Sequence, residues 1–436
     1  NIRLVCQDLM ALDPDRAGAL GDFDYIIAHG VYSWVPAPVR DRLLALCKQL
    51  LRPNGIVYIS YNTYPGWHVT GIVRDAMLFH AAGIEEPRAR AAAAREMIQF
   101  LADSVAQDAG AYSSIFQNYL KVLTDGLKGS DDSFLLHDEL EETNDPVYFT
   151  HFVNHAARHG LQYLVEAELR EVLPSLFKPE VQAKLQQYAS DAIALEQYMD
   201  FLRNRMFRQT LLCHADVPVQ RMLRPEPVFD CLARTNAQPA PPDDPTKPPG
   251  LAQFRNREGA TLTTDHAVSA AAMTLLGKIW PQALPFAELL DQARIAAGPS
   301  PTLPQTAEPP LPDDRMLAGN LLRAFGYSSR LVGLHTYAPV FTVEVGERPL
   351  ASPVARQEAM GRNVVTNVWH ERVTLQPFQC HLLIRLDGRR TRAALLAELR
   401  PIAEQLNAQP GGSNPLDEAE LERQLQTLAQ AALLVG

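Results

Sequence analysis

Apolar runs alternate with amphipathic stretches near the start of this chain. Tyr25–Ala28 and Ile56–Ser60 are short apolar runs typical of buried strands, and Arg40–Leu51 between them spaces its apolar residues as a helix packed on a sheet does. The turn residues Pro53-Asn54-Gly55 separate this helix from the second strand. Ile2–Cys6 is predicted as an earlier strand. This order predicts half of a doubly wound α/β sheet.

A helical segment interrupts the α/β pattern. Residues 81–140 show helix-type spacing and no strand pattern, which predicts a helical insertion. Helix and strand patterns return over residues 141–221, with strands expected at Leu161–Leu164 and Phe207–His214. We therefore expect one split α/β domain, made of residues 1–80 and 141–221.

The remaining sequence is mainly helical. Residues 222–250 are predicted as a linker because they carry the run Gln238-Pro239-Ala240-Pro241-Pro242. Residues 251–347 follow the order of a winged-helix module, with a closing strand pair expected at Leu331–His335 and Val340–Val345. Residues 348–436 repeat that theme, so we expect a second winged-helix-like module.

Charge and composition narrow the choice of partners. Lys plus Arg number 40 and Asp plus Glu 50, which gives a formal net charge of -10 and argues against broad contact with a phosphate backbone. Pro285–Arg294, the candidate recognition helix, carries two acids and one arginine. We therefore expect protein contact and no nucleic acid. The 5 scattered cysteines form no CxxC pair, and no apolar run reaches membrane-span length, so we predict a cytoplasmic protein.

Several long phrases resemble one bacterial family. They are Ala28–Pro36 (AHGVYSWVP), Tyr61–Trp67 (YNTYPGW), Asn144–Leu169, Glu196–His214, Arg348–Ala359, Val364–Leu375 and His381–Gly388. The chain is similar to class I methyltransferases that depend on S-adenosylmethionine and carry a methyltransferase regulatory region. Outer-membrane-protein lysine methyltransferases belong to that family. The resemblance implies a Rossmann-like sheet, S-adenosylmethionine as cofactor, a protein substrate methylated on lysine, and a homodimer built on the helical insertion.

One part of the family pattern has no counterpart in these residues. The resemblance implies a first strand with a glycine-rich turn and a second strand that ends in an acid for the ribose. Gly21, Gly30 and Gly55 do not stand in that arrangement. Two absent strands would separate Ile2–Cys6 from Tyr25–Ala28. The sequence therefore leaves two alternatives open, a non-catalytic regulatory or binding module and a small-molecule methyltransferase.

Residues at the ends of the predicted strands are the cofactor candidates. The resemblance implies that Asp8 accepts a hydrogen bond from the adenine amino group and that Leu9 packs on the adenine. A loop carboxylate that caps the next turn is the alternative for Asp8. Ala28, His29 and Gly30 are expected beside the methionine end, where a glycine lets the backbone approach closely.

The loops after the two central strands carry the substrate candidates. Methyl transfer to an amine depends mainly on alignment and desolvation, so Tyr32 and Tyr61 are expected to orient the amine. Simple packing is the alternative for these aromatic residues. The remaining candidates share a position in the same polar, aromatic loops and are expected to face the substrate: Trp34, Asn62, Tyr64 and Trp67.

One pair of histidines has metal-ligand spacing. His151 and His155 lie four residues apart on a predicted helix, as metal ligands often do. No HExxH context or third ligand accompanies them in the sequence. From the sequence we therefore expect no metal site.

Overall fold

The computed structural model describes residues 2–12, 21–105, 111–127, 132–241, 250–298, 311–407 and 416–436. The chain divides into two compact units, Asn1–Arg221 and Met222–Gly436. The division falls at the end of the predicted split domain.

The first unit is built on one four-stranded sheet. Its strands are β1 (Phe23–Ala28), β2 (Leu51–Asn62), β3 (Leu161–Glu166) and β4 (Phe207–His214), in the order β1-β2-β4-β3. β1 and β2 are parallel, whereas β4 is antiparallel to both of its neighbours. The ends of β1, β2 and β3 and the start of β4 therefore lie on one side of the sheet, which we call the loop edge.

Among the described residues, seven helices of ten residues or more accompany this sheet. They are α1 (Ala37–Leu50), α2 (Trp67–His80), α3 (Pro87–Val105), α4 (Ala111–Leu127), α5 (Phe149–Arg158), α6 (Pro179–Tyr188) and α7 (Ala192–Arg203). Leu44 of α1 and Phe152 of α5 are fully buried in one cluster with Val57 and Ile59 of β2. The apolar stripe predicted for α1 is therefore the face that packs on the sheet.

The segment predicted as a helical insertion, residues 81–140, is mainly helical where it is described, and the helix before it, α2, begins at Trp67. After α4, a short helix over Asp132–Phe134 continues as a π-helix over Leu135–Glu139. Val73 and Met77 of α2 pack with Ile98 of α3 in a core separate from that of the sheet. These helices therefore form a subdomain with an apolar centre of its own.

The strand predicted at Ile2–Cys6 is wrong. This segment is irregular, and Ile2 and Leu4 are 88% and 91% exposed. A strand is stable when its backbone groups pair with a neighbour, and none of the described residues pairs with this segment. Among the described residues the outer edge of β1 is likewise unpaired, and Tyr25 and Ile27 on that strand are exposed.

The second unit begins with a module of short strands and three helices. The elements are β5 (Leu232–Arg234), β6 (Gln238–Ala240), β7 (Ala252–Arg255), β8 (Thr261–Thr264), α8 (Ala267–Ile279), α9 (Phe286–Ala297), α10 (Asp313–Tyr327) and β9 (Gly333–His335). β7 and β8 form a hairpin, and β6 pairs with β7. Ala272, Leu289 and Leu321, one from each helix, are buried together.

Two predictions fail in this module. The supposed linker contributes β5 and β6, and Val228 and Ala237 from the same stretch are buried in the module core. Pro239 lies in β6, which is an edge strand of its sheet, and an edge strand tolerates the missing N–H. The closing strand β9 pairs with β5, whereas Val340–Val345 forms no strand.

The last module contains α11 (Pro353–Glu358), β10 (Val364–Thr366), β11 (Arg372–Thr374), α12 (Pro377–Arg385), α13 (Arg392–Asn407) and α14 (Glu418–Gln430). Leu382, Leu399 and Leu425, from its three longer helices, are buried together, and β10 pairs with β11. Among the described helices of both units, none is both long and apolar enough to cross a membrane.

Candidate functional site at the loop edge

The loop after β1 is tied to the end of β2 through a buried serine. Ser60 Oγ accepts a hydrogen bond from the Gly30 backbone N–H at 2.9 Å and lies 2.9 Å from His29 Nδ1. Gly30 has a φ of +67°, and no atom lies within 4 Å of the place where a Cβ would stand. The left-handed backbone favours glycine. Open space therefore borders an exposed backbone turn at the end of the strand.

A second hydrogen bond joins the loop after β1 to the end of β2 deeper in the protein. Ser33 Oγ accepts a hydrogen bond from the Asn62 backbone N–H at 2.9 Å, and the Asn62 side-chain amide donates to Asn144 Oδ1 at 3.0 Å. Ser33 and Asn62 are buried. The loop geometry therefore depends on Asn62, which the sequence places in this loop, and on Ser33 and Asn144, which the sequence does not single out because one serine or asparagine carries no recognisable signal.

The structure buries both tyrosines that the sequence predicts to orient an amine. Tyr32 and Tyr61 are 2% and 1% exposed and pack with Phe152 in the sheet core. Tyr32 Oη lies 2.7 Å from His155 Nδ1, and Tyr61 Oη lies 3.1 Å from Thr210 Oγ1. Burial raises the pKa of Tyr32 to about 12 and that of Tyr61 well above its usual range, so both hydroxyls stay protonated at neutral pH.

Asp8 lies in the short irregular segment before β1. Its carboxylate accepts a hydrogen bond from the Met10 backbone N–H at 2.9 Å, which is the turn-capping contact named above as the alternative. Leu9 packs with Leu12, Leu46 and Leu50 beside α1. The contacts of Asp8 are thus local to its own segment, and its role toward an adenine stays a prediction.

The loop after β2 carries a cluster of aromatic rings. Tyr64 stacks on His68 with ring centroids 4.2 Å apart, and Tyr148 lies 5.4 Å from Tyr64. Tyr148 Oη is 3.1 Å from His68 Nε2. We call Tyr64, His68 and Tyr148 the aromatic cluster. Tyr64 and Tyr148 are half-buried and His68 is exposed, so the cluster reaches the surface at the loop edge.

The backbone next to the aromatic cluster is closely packed. A Cβ at Gly66 would stand 2.6 Å from the Arg205 carbonyl oxygen, so only glycine fits there without a shift. Trp34 and Trp67 are half-buried, whereas Asn62 is almost fully buried. Of the residues predicted to face the substrate, Tyr64 is therefore in the aromatic cluster and Asn62 supports the loop from inside.

A buried ion network stands under the start of β4. The Arg208 guanidinium, with a side chain 0% exposed, lies 2.8 Å from a Glu166 oxygen and 2.9 Å from an Asp200 oxygen. The Phe149 ring covers it, 3.6 Å from Cζ to the ring centroid. Glu196 also contacts it, and burial raises the pKa of the Glu196 carboxyl. Because Glu166 ends β3 and Arg208 lies at the start of β4, this network fixes two strands where they meet the loop edge.

A cluster that the sequence analysis missed lies between α1 and α5. Asp41 Oδ1 is 3.0 Å from His155 Nε2 and 3.0 Å from His159 Nε2. The two hydrogen bonds lower the pKa of Asp41, and partial burial lowers that of His155. Asp41 is more than one hundred positions from both histidines, so only the fold brings them together.

Comparison with known families and structures agrees with this architecture. Residues 131–214 match the family described as a predicted methyltransferase regulatory domain, and residues 347–435 match the PKMT C-terminal winged helix domain. An uncharacterized protein of Rickettsia prowazekii, RP789, is 30% identical over 423 residues, which cover 95% of this chain and 74% of the relative. A second, RP028, is 34% identical over 164 residues, 38% of this chain and 62% of that relative.

Two solved structures are similar to nearly the whole of this chain. The structure of PKMT2 from Rickettsia typhi aligns with a TM-score of 0.78 at 25% identity, covering 99% of this chain and 83% of that one. PKMT2 in complex with AdoHcy aligns with a TM-score of 0.76 at 24% identity, covering 98% of this chain and 83% of that one.

Fold and loop edge together define a methyltransferase-type α/β protein with an appended C-terminal winged-helix module. The sheet order and the parallel pairing of β1 and β2, whose loops lie side by side, are the observations behind the methyltransferase-type fold. With the regulatory and winged-helix matches and the relative RP789, which is matched over 74% of its length, the chain belongs to the bacterial methyltransferase family that carries a methyltransferase regulatory domain and a PKMT winged-helix domain. The predicted family and fold class are confirmed.

Proposed function

We propose that this protein transfers a methyl group from S-adenosylmethionine to lysine side chains of a protein substrate. The observation that carries the proposal is the joining of the two strand-end loops through Ser60 and Ser33, which aligns open backbone at Gly30 with the loop after β2. Family membership supports the same activity. The fold alone hosts many functions, so the argument rests on this edge.

The cofactor is assigned to the side of the loop edge near β1. Gly30 leaves room for a ligand beside exposed backbone, and His29 next to it is held by Ser60. Ala28, His29 and Gly30 are proposed to contact the methionine end of the cofactor, with Asp8 and Leu9 at the adenine. The similar PKMT2 structure contains AdoHcy, the demethylated form of that cofactor.

The substrate lysine is assigned to the aromatic cluster. Aromatic faces suit a lysine because they pack against its aliphatic stem and attract its ammonium group while the residue is still charged. Tyr64 and Tyr148 are half-buried and held by ring contacts, so they present fixed surfaces. Trp34 and Trp67 are proposed to extend this surface.

Methyl transfer to a neutral amine needs little acid–base catalysis. The neutral amine nitrogen forms a bond to the methyl carbon while the carbon–sulfur bond breaks, and S-adenosylhomocysteine leaves as a neutral thioether. The proton of the new ammonium is released to water. Positioning and exclusion of water supply most of the rate enhancement in such a step. Tyr32 and Tyr61 are proposed to hold the loops in place through their buried rings.

A labelled-methyl assay tests the proposal. The protein is incubated with S-adenosylmethionine labelled in the methyl group and with a cell-envelope protein fraction, and the label is located by mass spectrometry. Label on lysine side chains is the expected result. Label on small amines alone would support the small-molecule alternative, and no transfer despite cofactor binding would refute methyl transfer.

A second candidate, a non-catalytic regulatory or binding module, is favoured by one observation. The outer edge of β1 is unpaired among the described residues, with Tyr25 and Ile27 exposed beside the proposed cofactor side. Calorimetric titration with S-adenosylhomocysteine separates the two candidates. Saturable binding supports the enzyme, whereas no binding supports the non-catalytic module.

Assembly and location complete the proposal. We assign a homodimer contact to the helical segment, where Phe79 and Phe100 are 84% and 59% exposed. Sedimentation analysis over a range of concentrations tests it, and a mass that stays that of one chain refutes it.

A cytoplasmic location, with outer-membrane proteins as substrates before export, is supported by 5 free cysteines.

A further inference from the structure

We propose that Asp41, His155 and His159 form a binding site for a transition-metal dication, with Zn²⁺ the preferred ion. One ligand atom from each residue is available, and these three atoms lie within 4.8 Å of one another. The site is separate from the methyl-transfer proposal and does not depend on it.

The fold fixes the ligands from two helices. Asp41 lies near the start of α1, His155 in the last turn of α5, and His159 directly after α5. His155 and His159 are four residues apart, so their side chains share one face of that helix. Because α1 and α5 both pack on the sheet, their spacing is set before any ion binds.

The distances suit a metal after a small movement. Asp41 Oδ1 already lies 3.0 Å from both Nε2 atoms. An ion bound about 2.0–2.1 Å from each ligand atom would replace the two N–H···O hydrogen bonds. Both imidazoles must then present a bare Nε2, which places their remaining ring proton on Nδ1.

Tyr32 is positioned to fix that tautomer in His155. Its Oη lies 2.7 Å from His155 Nδ1, where it can accept a hydrogen bond from an Nδ1–H. Metal-binding histidines commonly donate their second ring N–H to such a partner, which orients the ring and strengthens the ligand. The buried Tyr32 ring is packed in the sheet core, so it is a rigid support.

The ion has room to enter. A cavity of about 520 Å³ is lined by Asp41, His151 and His155 among others. The side chains of His155 and His159 are 13% and 17% exposed, whereas that of Asp41 is 63% exposed. Three protein ligands leave a fourth position for water.

The surrounding charges permit a dication. Arg40 borders the cavity, but its guanidinium is ion-paired with Asp145. Arg158 also borders the cavity and opposes a cation, while the Asp41 carboxylate binds it directly. The donor set of two imidazoles and one carboxylate suits Zn²⁺ and excludes Ca²⁺ and Mg²⁺, which take oxygen ligands.

Calorimetric titration of the metal-free chain with ZnCl₂ is the direct test. A Cys6→Ser background removes the exposed thiol, which would also bind zinc. We expect one saturable site for Zn²⁺. Bound Co²⁺ is expected to give the visible absorption of a four-coordinate site.

Two variants decide the assignment. His159→Ala and Asp41→Asn are each expected to weaken Zn²⁺ binding at least tenfold, and neither removes the contact between His155 and Tyr32. His151 lines the same cavity but is not one of the three proposed ligands, so His151→Ala is the matched control. It is expected to bind Zn²⁺ as the parent does. Far-ultraviolet circular dichroism checks that each variant is folded. Absence of saturable binding to the parent, or unchanged binding to both ligand variants, would overturn the proposal.

Discussion

The guanidinium of Arg234 lies 4.4 Å from the ring centroid of Trp369, although the two residues belong to different modules of the second unit. Trp280 covers it at 4.8 Å, and Glu371 accepts its hydrogen bonds. His335 Nε2 accepts from Arg234 Nε at 3.0 Å. Because arginine only donates, Nε2 of His335 must carry no proton. Protonation of His335 would therefore disturb the arginine that contacts Trp369 in the next module.

The second unit is therefore expected to lose stability in mild acid. Burial and the neighbouring Arg234 charge lower the pKa of His335 to about 4. Below pH 6.5 the unfolded chain binds a proton that the folded chain does not, so the free energy of unfolding falls as the pH drops from about 6.5 towards 4. We expect His335 to account for roughly 1–2 kcal/mol, because solvent access reduces the full effect.

Denaturant unfolding followed by tryptophan fluorescence at several pH values measures this loss. His335→Gln is the matched variant, since its amide oxygen can still accept from Arg234 but does not titrate. The parent should lose more stability than the variant between pH 7 and pH 5. Equal losses would contradict the assignment to His335.

The buried ion network predicts a large effect from one substitution. Arg208→Met removes the guanidinium that the buried Glu166 and Asp200 share, and leaves them only Arg205, 2.9 Å from Glu166 and 3.7 Å from Asp200. We expect the free energy of unfolding to fall by about 3–5 kcal/mol. Arg52→Met is the control, because Arg52 pairs with Asp24 in an exposed ion pair and should change stability by less than about 1 kcal/mol. Urea denaturation measures both, and similar effects would refute the role of burial.

The turn at Gly30 predicts a loss of cofactor affinity on substitution. Gly30→Ala puts a side chain on a backbone with φ of +67° and into the space assigned to the cofactor. Strain of about 1 kcal/mol and a loss of affinity of at least tenfold for S-adenosylhomocysteine are expected. Gly71→Ala in α2 has equal open space and ordinary backbone, so it should bind as the parent does. Calorimetry that finds both variants unchanged would remove Gly30 from the cofactor site.

The aromatic cluster predicts a substrate effect that leaves cofactor binding intact. Tyr64→Ala should raise KM for the protein substrate several-fold, because it removes a ring that packs on His68 and Tyr148. Tyr64→Phe keeps the ring and should restore most of the activity. Tyr188→Ala, at an exposed tyrosine of α6, serves as the control. A normal KM in Tyr64→Ala would exclude the cluster from substrate binding.

The pattern of apolar positions determined most helices and the four strands of the sheet in the first unit. It failed at Ile2–Cys6, which has strand composition but no pairing partner among the described residues, and at β6, where Pro239 concealed a strand at a sheet edge. Local pattern reports which face of a segment is apolar, and it does not report whether a neighbour exists to complete the backbone hydrogen bonds.

Sequence by itself determined the family, the order of the elements and the two loops that end the parallel strands. Only the tertiary structure decided that Tyr32 and Tyr61 are buried, that Ser33 and Ser60 join the loops, and that Asp41 meets His155 and His159. The physical reason is distance along the chain. Hydrophobic periodicity arises from neighbouring residues, whereas hydrogen bonds and ligand sets depend on where packing brings distant side chains together.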